Sequence, residues 1–417
     1  MAARLSCILF LLEEANRSDQ LEKKRQARKI RFQRVINTDK DYIDTFRLSR
    51  ELIEVLERDL IPLLPEEIRQ GGLTHRTKAS TEVTTNYILC ALSFLANGSY
   101  QKVVGKNVNT FMSQPSASRA IRLIVSALND PCIIRKYIKF PQTITERQDL
   151  KERFFNKYKV PGVIGCIDGT FVSMVRPKEN EERYYCRKGY HARNVLIIND
   201  SDLNILHVDA TFGGATHDNF IFNNTVIKNH LEQLYNTGET VYLLVYNNLY
   251  KKYFPGDSGY AQRPYVMTPY SNPDQDTPEE YYNNIHSTAR NSVERTIGVL
   301  KGRFRCLLVH RVLHYNPEMV AKIVIACCVL HNICNRAGLP FPALPPHLQQ
   351  AEQRVLDILH RHTPAVADDL DIGRQCRQQL MNTLWRLQHA KPKIGRAATP
   401  TRPRSVGPAH MLLALVL

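Results

Sequence analysis

One aspartate, Asp168, lies inside the most strand-like run of the chain, PGVIGCIDGTFVSMV (161–175). Val163, Ile164, Ile167, Phe171 and Val172 surround it, with Pro161-Gly162 and Pro177 as boundaries. β-Branched and apolar residues between such breakers predict a central strand or hairpin. A charge in that setting is costly unless it is paired or holds a metal. Gly165 and Gly169 on either side leave room for a second backbone or a ligand. An Asp-Gly hairpin turn is the simpler alternative, and the burial argument favours a functional carboxylate.

Three further strand-like runs follow, NVLIIND (194–200), LNILHVDATF (203–212) and TVYLLVY (240–246), with PYVMTP (264–269) as a short fifth. Asn199 to Asp202 mark the turn between the first two. DNFIFNNTVIKNHLEQLY (218–235) has helical spacing, as do the two long segments 278–304 and 316–336. Three strands, a helix, a strand and closing helices predict an α/β layout.

Upstream the chain is helical. Residues 15 to 60 are charged, and LEKKRQARKIRFQR (21–34) carries seven basic residues against Glu22 alone. It reads equally as a nuclear-import signal or nucleic-acid arm, or as a solvated helix face. Between 80 and 130 three helices are expected. The first ends at Asn97-Gly98, the second is YQKVVGKNV (100–108), and the third is capped by Ser113 with Pro115 in its first turn. Ile121, Ile124, Val125 and Leu128 form the third helix's apolar face. That order fits a helix-turn-helix, with Ser116, Ser118, Arg119 and Arg122 toward a groove or phosphates. An ordinary helical bundle fits it as well. After about 338 come a proline-rich linker, two helical stretches expected to stand alone, and a basic, Pro-rich tail expected to be disordered.

The formal net charge is +16, with a pI near 9.4. That favours a polyanionic partner such as DNA, although solubility alone can account for it. Ten cysteines without a framework read as reduced, packed thiols. Cys327, His331 and Cys334 share a helix face, but their apolar setting makes a zinc site the weaker reading. The apolar run near Met1 lacks a cleavage-like site and MLLALVL (411–417) is too short to span a bilayer, so neither a signal peptide nor a membrane segment is expected.

Three more acids stand out. Glu294 is the only acid between His286 and Arg305, and it borders the stripe Ala289, Val293, Ile297, Leu300 and Phe304. Its plain alternative is a surface pair with Arg290, worth little. Asp257 sits in the turn PGDSGY after a strand, where open α/β sheets place ligands; Asp and Gly also populate turns for local reasons. Asp218 could simply cap the helix beginning at Asn219, and Asp209 competes with it as a strand-end ligand.

Taken in order, VPGVIGCIDGTFV, YYCRKGYHARNVLII, GGATHDNFIF, GDSGYAQRPYVMTPY, HSTARNSVERTIGVLKGRFRCL and IVIACCVLHNIC closely resemble the PIF/Harbinger transposases and the Harbinger transposase-derived nucleases, over roughly residues 80 to 336. The resemblance implies a ribonuclease-H-like catalytic domain, a mixed sheet with flanking helices, at 160–336. Before it would lie a basic helical region at 1–79 and an all-α helix-turn-helix region at 80–150; a Pro-rich, basic tail at 337–417 would follow. It implies a metal-dependent DNA endonuclease with the triad Asp168, Asp257 and Glu294, Asp218 near the metals, and two Mg²⁺ or Mn²⁺ ions. Arg187, Lys188 and Arg193 would be phosphate or structural contacts, and Arg290 and Arg295 would grip DNA. A Myb-like partner, a homo-oligomer, and residence in the nucleus, with the cytoplasm second, complete the expectation. One departure stands against catalysis: VYNNLYKKYFP (245–255) intervenes before GDSGY. It either loops out, displaces Asp257 from the strand end, or supplies LYKKYF (249–254) as the strand that presents it; displacement would favour a DNA-binding or adaptor relative without activity.

Overall fold

The computed structural model describes residues 38–66, 80–98, 112–245, 260–341 and 371–389, with 14, 18–20, 22–23 and 101. Most of the basic stretch 21–34, nearly all of the expected second helix at 100–108, the helical stretch 349–362, the segment 246–259 and the tail after 389 lie outside the described residues.

Five strands form one mixed sheet: β1 (Val163–Ser173), β2 (Ala192–Asn199), β3 (Ile205–Gly213), β4 (Tyr242–Val245) and β5 (Val266–Met267). Their order is β3-β2-β1-β4-β5. β1, β2 and β3 run antiparallel in succession, and β4 and β5 add on parallel. Every expected strand is present. β2 is buried along its whole length, as a strand covered on both faces must be. Leu196 and Ile198 enter one core, while Val195 and Ile197 enter another.

Eleven described helices surround the sheet: α1 (Asp39–Phe46), α2 (Arg50–Leu60), α3 (Ser80–Asn97), α4 (Gln114–Leu128), α5 (Pro131–Tyr137), α6 (Ile144–Tyr158), α7 (Asp218–Asn223), α8 (Val226–Asn236), α9 (Pro278–Arg303), α10 (Pro317–Arg336) and α11 (Asp371–His389). Ser113 caps α4 by accepting from the Ser116 amide, with Pro115 in the first turn. α7 and α8 cover one sheet face through Ile221, Phe222, Ile227 and Leu231. α9 and α10 cover the other. The amino-terminal helices join the sheet in the same core: Phe46, Leu56, Leu92 and Ile124 pack with Val195, Ile197 and Ile323.

α10 is long and apolar enough to cross a membrane, and 72% of its most apolar stretch is buried inside the molecule. α11, expected to stand alone, instead packs Leu380, Met381 and Leu384 against α9 and the sheet. Trp385 meets the Tyr281 ring edge-on at 6.0 Å, and the Arg377 guanidinium lies 4.2 Å from the Tyr270 ring centre.

Arg147 of α6 donates to both carboxylate oxygens of Glu239, at 2.8 and 2.5 Å, which ties α6 to the loop before β4. That bidentate contact holds the Glu239 carboxyl below its ordinary value, against the opposing effect of burial. The pair therefore stabilises the fold above the usual carboxylate range. Its contribution is lost as pH falls through the depressed value. Glu239→Gln should cost about 2 kcal/mol at pH 7. Urea melts should show that difference shrinking in acid below the ordinary glutamate range.

Candidate active site

The last described register pair between β1 and β4 is Ile167 with Val245, and β2 accompanies β1 to Ser173; the residues that follow Val245 lie outside the described ones. Side chains alternate along a strand. Cys166 and Asp168 face α9, and Cys166 Sγ lies 3.5 Å from the Ala289 carbonyl there. Ile167 and Gly169 face α7.

Asp168 and Glu294 are brought together by Arg290. One guanidinium nitrogen, Nη2, donates to Asp168 Oδ2 at 2.9 Å. The other, Nη1, donates to Glu294 Oε1 at 2.6 Å. Asp168 Oδ1 accepts from the Gly169 amide at 2.9 Å. Burial raises the Asp168 carboxyl above the usual carboxylate range; Arg290 opposes this and Glu294 adds to it.

Asp218 approaches β1 from the opposite face. It occupies the first turn of α7, whose cap position is His217, so it is not the cap. Its Oδ1 accepts from Asn194 Nδ2 at 2.7 Å. A methyl group at Gly169 would lie 2.6 Å from Asp218 Cγ. Glycine at 169 is therefore what admits this carboxylate beside Asp168. Tyr260 completes the wall. It is 3% exposed, and its hydroxyl has no hydrogen-bond partner among the described residues. Burial, and then the Asp218 and Asp168 charges, push that hydroxyl far above the ordinary tyrosine value. Neither Tyr260 nor Asn194 was expected at the site, though both lie in the quoted motifs.

Asp257 lies outside the described residues, as does most of the 245–255 stretch. Among the described residues, no three His, Cys, Asp or Glu side chains gather as metal ligands. Asp209 serves a local turn, accepting from the Thr211 amide and hydroxyl. The zinc constellation dissolves. His331 Nε2 lies 2.8 Å from the Leu203 carbonyl, Cys334 Sγ donates to the Arg47 carbonyl, and Cys327 faces Cys306. Burial also holds the Cys334 thiol up at about 11. The nine described cysteines are all free.

The expected DNA contacts divide. Arg119, Arg122, Arg187 and Arg295 are exposed, and Ser116, Ser118 and Lys188 are half-buried. Arg122 lies over the Tyr315 ring, and Lys188 lies 5.4 Å from the Phe171 ring centre. Two arginines are buried. Arg290 is 6% exposed because its fork is inserted between the two acids. Arg193 is 5% exposed because its guanidinium donates to the Pro317 and Thr211 carbonyls. Both are structural in this arrangement.

Residues 167–332 match the DDE superfamily endonuclease family. The matched stretch runs from the strand that bears Asp168 to the last turns of α10, so the chain carries a nuclease domain of that class. HARBI1 of Xenopus laevis, described as a candidate nuclease, is 32% identical over 71% of this chain and 78% of its own length. The human HARBI1 is 31% identical over 76% and 85%, and an ALP1-like protein of Arabidopsis thaliana is 25% identical over 59% of each. No solved structure matches significantly. The chain belongs to the family of Harbinger transposase-derived nucleases.

Gly169→Ala should expel Asp218 from its place while leaving the fold intact, since a carboxylate end can swing aside. The melting temperature should fall by no more than a few degrees. The Asn194 side-chain amide resonances should move as their bond to Asp218 breaks.

Proposed function

We propose that the protein is a divalent-metal-dependent DNA endonuclease, derived from a transposase, that hydrolyses phosphodiester bonds at the carboxylates gathered around Asp168 of β1. One observation carries the reading: Asp168 and Glu294, from a strand and a distant helix, meet around a single buried guanidinium. The strand order, three antiparallel then two parallel between helical layers, supports a ribonuclease-H-like fold.

The donor set fits a divalent cation. Oxygen ligands suit Mg²⁺ or Mn²⁺, and the raised Asp168 carboxyl is one for which a nearby cation relieves the penalty of burial. Asp168, Glu294 and Asp257 would hold the ions, with Asp218 close by. Tyr260, buried against the carboxylates, lies three residues beyond Asp257. Ions held by these carboxylates would supply an activated water and would steady the charge on the leaving oxygen. Asp168 and Glu294 fix the position of the reaction against the backbone of β1 and α9. Tyr260 shields the carboxylates from water on the α7 side.

The exposed arginines 119, 122, 187 and 295, with Lys188, Ser116 and Ser118, would grip the DNA backbone. The excess of positive charge supports that. α3 and α4 would flank a helix-turn-helix. Nuclear residence, a Myb-like partner and self-association accompany this reading. A second reading, a DNA-binding relative without catalysis, is favoured by Arg290, which already compensates both acids.

Plasmid nicking with Mg²⁺ or Mn²⁺ distinguishes the two. The native chain should nick, and Asp168→Ala should lose at least about a hundredfold in rate while still binding DNA. Equal nicking by both chains would remove Asp168 from catalysis, and no nicking by the native chain would favour the second reading. DNA affinity should fall steeply with salt in either protein.

A further inference from the structure

Among the described residues, Arg290 is the charged group at the site that the hydrolytic reading leaves without a task. Its two outer nitrogens donate to carboxylates on different elements, at 2.9 Å to Asp168 and 2.6 Å to Glu294. The guanidinium fork is planar and always charged, so it can hold two acids at a fixed separation. The burial is graded. The Arg290 side chain is 7% exposed, against 21% for Asp168 and 43% for Glu294. The positive charge therefore lies deeper than the carboxylates, and Glu294 is the acid that faces the solvent. Each carboxylate oxygen that accepts one hydrogen bond keeps a second lone pair, so the acids remain able to bind a cation. They do so with a unit positive charge only a few ångströms away.

We propose that Arg290 is a built-in counterion that holds Asp168 and Glu294 together in the absence of metal and, by its charge, lowers their affinity for divalent cations. This inference rests on the metal-binding reading above. Repulsion between like charges would otherwise spread the two acids. A cation arriving from solvent shares the carboxylates with Arg290, and the site binds more weakly than the same oxygens without it. Arg290 is thus a positioning residue that acts through the acids and has no part in the bond change.

The test measures Mn²⁺ binding to the purified full chain, without DNA, by electron paramagnetic resonance and by the shift in melting temperature. Arg290→Gln removes the charge, and should bind Mn²⁺ at least about tenfold more tightly than the native chain, with a larger Mn²⁺-induced rise in melting temperature. Arg290→Lys keeps a charge but cannot bridge both acids at once. It should bind within about threefold of the native chain, and it keeps the test decisive if the glutamine variant fails to fold. Equal or weaker binding by Arg290→Gln overturns the inference, as does a tenfold gain in Arg290→Lys. If the native chain binds Mn²⁺ and either of those results is found, only the counterion idea fails. No binding by any of the three chains overturns the metal reading and the inference together.

Discussion

A single guanidinium joins the two halves of this site. Asp168 belongs to a strand at the centre of the sheet, and Glu294 belongs to a helix that packs across it. Nothing in either element alone fixes the distance between them. Arg290 does so, because its two nitrogens are rigidly spaced and each is committed to one acid. Burying that cation is tolerable only because both acids meet it. Removing either acid would leave Arg290 with a single carboxylate partner at the edge of the core.

The backbone of β1 is served by the acids beside it. Asp168 covers the next amide of the strand, that of Gly169. Gly169, having no side chain, leaves room for Asp218 to reach the strand from the opposite face. Asn194, one strand over, fixes the Asp218 carboxylate from the side.

The strands and helix caps were legible in the sequence because their signals are local. Ser113 and Pro115 announce the start of α4, and the apolar face from Ile121 to Leu128 is fully buried. The alternating cores of β2 follow from its unbroken apolar run. Asp168 stood out because its neighbours are apolar, and Glu294 because its neighbours are basic. The role of Arg290 was not legible. From the sequence it is half of an i,i+4 pair on an exposed helix face, or a DNA contact; only the packing of α9 on β1 brings its second nitrogen to Asp168. Arg193 stayed open between a phosphate and a structural contact for the same reason, since its carbonyl partners lie on β3 and at the start of α10. Long-range contacts of single polar side chains leave no periodicity to read.

The helix that carries Glu294 is gripped on two sides. β1 and its neighbours hold one, and α11, far along the chain beyond a proline-rich stretch, holds the other through Leu380, Leu384 and Trp385. The matched nuclease segment ends at residue 332, well before α11 begins. The packed unit around Glu294 therefore extends beyond the recognisable signature. A fragment trimmed to that signature would bare an apolar flank of the very helix that positions the acid.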